Sequence, residues 1–285
     1  MSLRIPRWVP PTLGFASRIA PGWTGRFVAQ VVLRPRQNPP QPWEIAPLES
    51  GEPTAEPLTL PNGQAALAWA PPGESVAPWV FAQHGWEGRP TQFRPLAAAL
   101  TARGFRLLAV EGPGHGRSPG RHASPWLFAQ GLLAAQAAFG SPAAVIGHSM
   151  GGSAVPIAIA EGLEAGRVVT LGSPAAVSEI TDRFVEAAGL GPDAQHRLRR
   201  LLDAHAGRPV RELDPEILAR DPAVAALPAL VVHCVDDPIV AHGQAVRLRA
   251  AWQGARGLDT RGLGHRDILR HRETVDAVAD FILGD

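Results

Sequence analysis

Short apolar runs alternate with longer amphipathic stretches over most of the chain, and this alternation predicts its secondary structure. Apolar runs of strand length occur at residues 79–83, 106–110, 143–146, 167–171 and 229–234. Segments with helical spacing lie between them, at about 91–103, at 124–139 and directly after residue 150. Strands joined by such long helical connections do not form hairpins, so the centre of the sheet should be parallel, with helices on both faces.

Two regions depart from this alternation. Residues 58–60 and 66–70 flank Pro61-Asn62-Gly63, and the Asn-Gly pair predicts a tight turn between two antiparallel strands. From about 176 to 227 the apolar positions keep helical spacing, which predicts a small helical cap inserted between two strands. A helix at 241–252, a short strand at about 257–260 and an amphipathic helix at 267–283 complete the chain.

The first 55 residues differ from the rest, because they contain six arginines and no acidic residue before Glu44. Residues 13–33 predict one or two short helices broken at Pro21-Gly22, and the Pro-rich residues 35–57 predict an extended linker. We therefore divide the chain into a basic, Pro- and Trp-containing arm (1–55) and a main domain (56–285). The arm could pack on the main domain or rest on an acidic membrane surface, and its intermittently apolar pattern favours packing.

Composition narrows the classes of function. Hydrophobic residues make up 45% of the chain and charged residues 19%, as in soluble globular proteins. The net charge of +1 gives no basis for a nucleic-acid partner. There is no run of 18 apolar residues to span a membrane and no signal-peptide pattern, and the single Cys234 forms no internal disulfide, so we expect a cytoplasmic protein. Nothing in the sequence indicates the oligomeric state.

The stretch Gly147-His148-Ser149-Met150-Gly151 lies between a predicted strand and a predicted helix, which is the setting in which G-x-S-x-G carries a nucleophile. A serine hydroxyl there projects from the top of the sheet, at the positive end of a helix dipole. It needs a base, and the base needs an orienting acid. Asp236 and Asp237 follow one late strand and His265 follows the last one, so either carboxylate can serve at the same edge.

Metal and nucleotide chemistry find no support in the sequence. The spacings H-E-x-x-H and C-x-x-C are absent, so we expect no bound metal. The stretch Gly112-Pro113-Gly114-His115-Gly116 lacks the G-x-G-x-x-G spacing, and the chain has no lysine for a phosphate-binding loop. We therefore expect no cofactor.

Taken together, these motifs resemble the α/β-hydrolase family. The motifs are G-x-S-x-G, the upstream His84-Gly85, Pro-Gly-His-Gly-x-Ser at 113–118, Asp-Asp-Pro-Ile-Val at 236–240, and Gly-His before the last helix. The resemblance covers roughly residues 57–285. It implies an α/β fold with a mostly parallel central sheet flanked by helices, and a small helical cap at about 176–227.

The resemblance also implies roles for individual residues. Ser149 would be the nucleophile, His265 the base and Asp237, rather than Asp236, the acid. The backbone N–H groups of Trp86 and Met150 would form the oxyanion hole. For His84 we expect a loop residue that holds its turn through hydrogen bonds, and for His148 a structural role.

This family membership would imply a serine hydrolase that cleaves carboxylic esters of short to medium acyl chain through an acyl-enzyme intermediate. The expected partner is a small-molecule ester. Thioesterase, carbon–carbon bond hydrolase and aminopeptidase activities use the same triad and stay open, as does a non-enzymatic ligand-binding role.

Overall fold

The protein is built on one eight-stranded sheet whose strand order is β1-β2-β4-β3-β5-β6-β7-β8. The computed structural model describes residues 9–47, 52–73 and 76–284. The strands are β1 (Glu56–Thr59), β2 (Ala65–Trp69), β3 (Trp79–Gln83), β4 (Arg106–Val110), β5 (Ala144–His148), β6 (Val168–Leu171), β7 (Ala229–Cys234) and β8 (Arg256–Thr260). β2 pairs antiparallel with β1 and β4, and all other neighbouring strands are parallel. The predicted hairpin and parallel centre are confirmed.

Helices cover both faces of this sheet. They are α1 (Val9–Ile19), α2 (Pro21–Leu33), α3 (Arg94–Thr101), α4 (Pro125–Phe139), α5 (Met150–Ala160), α6 (Val177–Ala187), α7 (Pro192–Ala206), α8 (Pro215–Leu218), α9 (Pro222–Ala225), α10 (Gly243–Ala251) and α11 (Arg272–Leu283). Single 3-10 turns lie at Pro42–Glu44, Pro90–Phe93, Val210–Leu213 and Asp267–Leu269. Many helices carry proline in the first turn, where its missing N–H costs no hydrogen bond. No helix of the described ranges has the length and apolarity to cross a membrane.

For two helices the predicted first residue is wrong, because a 3-10 turn precedes the α-helix. The stretch 91–103 forms a 3-10 turn followed by α3, because Pro90 and Pro95 each favour a first-turn position and the chain starts a helix twice. The final stretch likewise begins with a 3-10 turn, and α11 starts only at Arg272. Ile268 and Leu269 are both buried in this turn, which anchors the chain before the last helix.

Alternating residues of the central strands point into two separate cores. Phe81 and Val145 pair across β3 and β5 and face the layer that contains α4, α5 and α10. Val80 and Ile146 face the opposite layer, which contains α3 and α11. Because each central strand is buried on both faces, its sequence is a continuous apolar run, as observed for parallel strands. Polar side chains therefore collect in the loops at the strand ends and on the exposed edge strands β1 and β8.

The cap and the first two helices form one helical layer. The chain leaves the sheet after β6, forms α6–α9 and returns at β7, as the helical spacing predicted. The break predicted at Pro21-Gly22 is also present, since α1 ends at Ile19 and α2 starts at Pro21. Val28, Ala29 and Leu33 of α2 share a buried cluster with Leu198 and Leu202 of α7. The N-terminal helices therefore pack on the cap.

Candidate active site

Ser149 stands on a strained turn between β5 and α5. Its backbone angles are φ 54° and ψ −122°, a conformation that residues other than glycine rarely adopt. A Cβ atom at Gly151 would lie 2.1 Å from the carbonyl oxygen of Gln83, so only glycine fits this first helical turn. The Ser149 N–H donates to the carbonyl oxygen of Leu171 at 2.8 Å, which fixes the turn against the neighbouring strand β6. Tight packing thus maintains the strain at Ser149.

Asp237 and His265 form a buried pair at the same edge of the sheet. Nδ1 of His265 donates to Oδ2 of Asp237 at 2.7 Å, and both residues are at most 9% exposed. The other carboxylate oxygen accepts the backbone N–H groups of Ile239 (2.8 Å) and Val240 (3.1 Å). Burial raises the pKa of Asp237, but the hydrogen bonds and the His265 charge outweigh it, so the pKa lies below its usual value. The carboxylate is therefore ionised and holds the imidazole in one tautomer.

Asp236 has a different environment. Its side chain is exposed and accepts hydrogen bonds from the Cys234 thiol at 2.8 Å and from the Gly262 N–H at 3.0 Å. These contacts tie the turn after β7 to the turn after β8, which carries His265. The pairing with His265 is made by Asp237, the residue that the family resemblance implied.

Contacts at the ends of β5 and β6 link the segments on either side of this pair. Nε2 of His148, next to Ser149, donates to the carbonyl oxygen of His265 at 2.9 Å, and the two rings lie 4.9 Å apart. A Cβ atom at Gly172, just after β6, would lie 3.3 Å from Nδ1 of His265. Burial, followed by the charge of His265, lowers the pKa of His148 to about 3. His148 is therefore neutral and acts as a fixed donor to the loop that carries His265.

The loop after β3 lies against the nucleophile turn. A Cβ atom at Gly85 would be 2.8 Å from Cβ of Ser149, so glycine allows this close approach. Trp86 follows in the loop, and Met150 opens α5. Within the described ranges neither the Trp86 N–H nor the Met150 N–H donates to a protein acceptor. Both predicted oxyanion donors thus belong to segments that meet beside Ser149.

Two buried histidines shape this loop. His84 donates from Nδ1 to the carbonyl oxygen of Gly85 (2.7 Å) and accepts the Gly112 N–H at Nε2 (2.9 Å). His115 accepts the Glu87 N–H at 3.0 Å. Burial lowers the pKa of both rings, and in His84 the neighbouring His115 lowers it further. Both rings are neutral, and the expectation that His84 holds its turn is confirmed.

The N-terminal arm holds the same loop from outside, which sequence reasoning missed. Glu87 has φ 55° and is, with Ser149, one of two non-glycine residues of positive φ in the described ranges. Its Oε1 accepts the backbone N–H and the Nε–H of Arg36, both at 3.2 Å, and its Oε2 accepts the Asn38 amide at 3.1 Å. The local signal for this role is the positive φ of Glu87, and a backbone angle cannot be read from the sequence.

Among the surface depressions of the described part of the protein, two have volumes of about 100 and 160 Å³. The first lies in the cap between α6 and α7, and the second beside β2 and the loop after β4. None of the residues that line them is Ser149, Asp237 or His265. The described residues also contain no cluster of three or more histidine, cysteine or carboxylate side chains placed to hold a metal.

Ser149 on a strained strand-to-helix turn and a buried His265–Asp237 pair at the ends of neighbouring strands are an arrangement typical of α/β hydrolases. The chain belongs to the α/β-hydrolase family, whose model matches residues 79–281. A serine hydrolase-like protein of Dictyostelium discoideum is 33% identical over a 103-residue alignment, which covers 34% of this chain and 28% of that protein. The match thus spans little more than a quarter of that relative.

Solved structures with the same fold include two esterases. An esterase from a Rhodococcus species has a TM-score of 0.59 at 20% identity and covers 81% of this chain and 98% of its own. The esterase domain of a Rhodothermus marinus protein has a TM-score of 0.57 at 21% identity, with 80% and 95% coverage. At these identities the similarity demonstrates a shared fold.

Proposed function

We propose that the protein is a serine hydrolase that cleaves carboxylic esters of short to medium acyl chain. The observation that carries the proposal is the strained Ser149 turn beside the buried His265–Asp237 pair, whose Nδ1–Oδ2 distance is 2.7 Å. The strain presents the serine side chain above the sheet edge. Asp237 accepts the proton-bearing Nδ1 of His265, which selects the tautomer with its free lone pair on Nε2, the atom required of a general base.

In the proposed reaction Ser149 Oγ attacks the ester carbonyl carbon while Nε2 of His265 takes the hydroxyl proton. The carbonyl oxygen becomes negatively charged and receives hydrogen bonds from the N–H groups of Trp86 and Met150. His265 then protonates the leaving alcohol, and an acyl-enzyme on Ser149 remains. Water attacks this acyl-enzyme with His265 again as base, which releases the acid and restores the serine.

Esters are favoured over other acyl compounds by the fold neighbours. The two fold neighbours named above are esterases. Burial of an acyl chain between the cap and the sheet edge would contribute about 0.8 kcal/mol per methylene. We therefore expect kcat/KM to rise over the first carbons of the acyl chain and then to fall.

Two measurements test the proposal. The purified full chain is given p-nitrophenyl esters of increasing acyl length, and a fluorophosphonate probe is used to label the serine. Ser149→Ala should abolish both turnover and labelling, whereas the control Ser141→Ala, on an exposed loop, should retain both. A folded wild type that fails to label contradicts the serine-hydrolase assignment. Labelling without turnover of any ester in the series contradicts the ester assignment and points to a thioester, amide or carbon–carbon substrate.

A further inference from the structure

The two N-terminal helices expose a row of large apolar side chains. Phe15 and Ile19 of α1 are 67% and 69% exposed, and Trp23, Phe27 and Val31 of α2 are 62%, 46% and 51% exposed. Within each helix these residues are four positions apart, so each set lies on one face of its own helix. The rings of Trp23 and Phe27 stack at 5.4 Å with an interplanar angle of 6°. We call this set of five residues the apolar face.

The opposite side of α2 is already occupied, so the apolar face cannot turn inwards. Val28, Ala29 and Leu33 are buried against the cap, in the cluster shared with α7. A Cβ atom at Gly25 would lie 3.0 Å from Cβ of Arg197 in α7, which shows how closely the two helices approach. Because α2 is apolar on both sides and only one side is covered, the other side is suited to a second apolar environment.

The charges around the apolar face indicate what that environment is. Arg18, Arg26 and Arg34 are exposed on α1, on α2 and just after α2, and none forms an ion pair with a described carboxylate. No acidic residue occurs in the sequence before Glu44. A surface that combines apolar and aromatic side chains with uncompensated arginines is complementary to anionic lipid headgroups over acyl chains. A second copy fits poorly, since a two-fold contact would bring these arginines towards one another.

We propose that the apolar face docks on the surface of a membrane that contains anionic phospholipids. Trp23 and Phe27 would enter the headgroup–acyl boundary, while the three arginines contact phosphates. The sequence favoured packing alone, and the structure adds that packing uses only one side of the arm. The end of α2 and the residues after it are bonded to the loops after β3 and β4, at the edge of the sheet that carries Ser149. Leu33 accepts the Ala123 N–H at 2.7 Å, and Arg36 binds Glu87. Docking would therefore hold that edge next to lipid.

Vesicle co-sedimentation of the full chain tests the proposal. Vesicles are made of phosphatidylcholine alone or with about 30% phosphatidylglycerol, at about 0.05 M and about 0.5 M salt. We expect binding to the anionic vesicles at low salt and much weaker binding at high salt or to neutral vesicles. Replacing Arg18, Arg26 and Arg34 together by glutamine should weaken anionic binding about a hundredfold. Trp23→Ser with Phe27→Ser should weaken it about tenfold or more.

A matched control replaces two apolar residues that are as exposed elsewhere. Ile217→Ser with Val246→Ser, at 46% and 51% exposure, should leave binding unchanged. All variants should keep the thermal midpoint of the wild type and its hydrolysis of a water-soluble ester, so loss of docking is separable from loss of activity. Absence of binding to anionic vesicles by the folded wild type overturns the proposal. A dimer that Trp23→Ser with Phe27→Ser dissociates overturns it too, because a second copy would then cover the face.

Discussion

Neutral His148 should make the folded state sensitive to acid. Its ring is buried beside Ser149, and Nε2 donates to the carbonyl oxygen of His265. Burial, followed by the charge of His265, lowers the pKa of His148 from 6.5 to about 3. The unfolded chain therefore takes up this proton at a higher pH than the folded chain. The contribution of His148 to stability is complete above pH 6.5 and is lost as the pH falls towards 3.

The pKa difference sets the magnitude of this effect. Each unit corresponds to about 1.4 kcal/mol, so full acidification removes about 5 kcal/mol from the free energy of unfolding. Between about pH 7.5 and about pH 4.5 the His148 share is about 3 kcal/mol, because the unfolded site is then almost fully protonated and the folded site is not. Burial also lowers the pKa of His84 and of His115, so both rings add to the pH dependence of the wild type's free energy of unfolding.

Urea unfolding of the wild type and of His148→Gln at these two pH values isolates the His148 share. Glutamine keeps a donor for the His265 carbonyl but does not titrate, so the variant should lose about 3 kcal/mol less on acidification than the wild type. The slopes from the other histidines cancel in this difference. His196→Gln, at an exposed position of α7, should behave like the wild type. Equal losses in the wild type and in His148→Gln would refute the assignment of a buried neutral ring.

Three further predictions concern the catalytic edge. Asp237→Asn should lower kcat about 10³- to 10⁴-fold. Asp236→Asn keeps an acceptor for its turn, so its kcat should stay within about tenfold of the wild-type value. If steady-state assays give the reverse order, Asp236 is the acid. Gly85→Ala places a methyl group 2.8 Å from Cβ of Ser149 and should lower kcat about 10- to 100-fold at nearly constant KM, and an unchanged kcat would show that the loop tolerates displacement. Glu87→Ala removes the carboxylate that accepts hydrogen bonds from Arg36 and Asn38 of the N-terminal arm, and it should lower kcat about tenfold. Glu87→Gln should restore part of this loss. Equal kcat values for the wild type and both variants would exclude a positioning role for Glu87.

The sequence alone determined the order and type of the elements and indicated two residues of the candidate site. Apolar runs between helical spacings reveal parallel strands, because a strand buried on both faces has to be apolar at every position. G-x-S-x-G between a strand and a helix reveals Ser149, and Gly-His after the last strand reveals His265, because these turns are set by local backbone geometry. Helix starts were less well predicted, since proline pairs such as Pro90 and Pro95 allow more than one start.

The tertiary structure decided what depends on contacts between distant segments. Asp236 and Asp237 are adjacent and chemically alike, so the residues themselves left both open and the family resemblance alone favoured Asp237. The direction of the turn after β7 pairs Asp237 with His265 and Asp236 with Gly262. The hold of the N-terminal arm on Glu87 joins residues 51 positions apart, and no local pattern encodes it. The burial of the arm helices was also decided by tertiary contacts, because their two apolar sides look equivalent in the sequence. Packing against α7 covers one side and leaves the other to solvent, because a helix can bury against one neighbour only the face that it turns towards it.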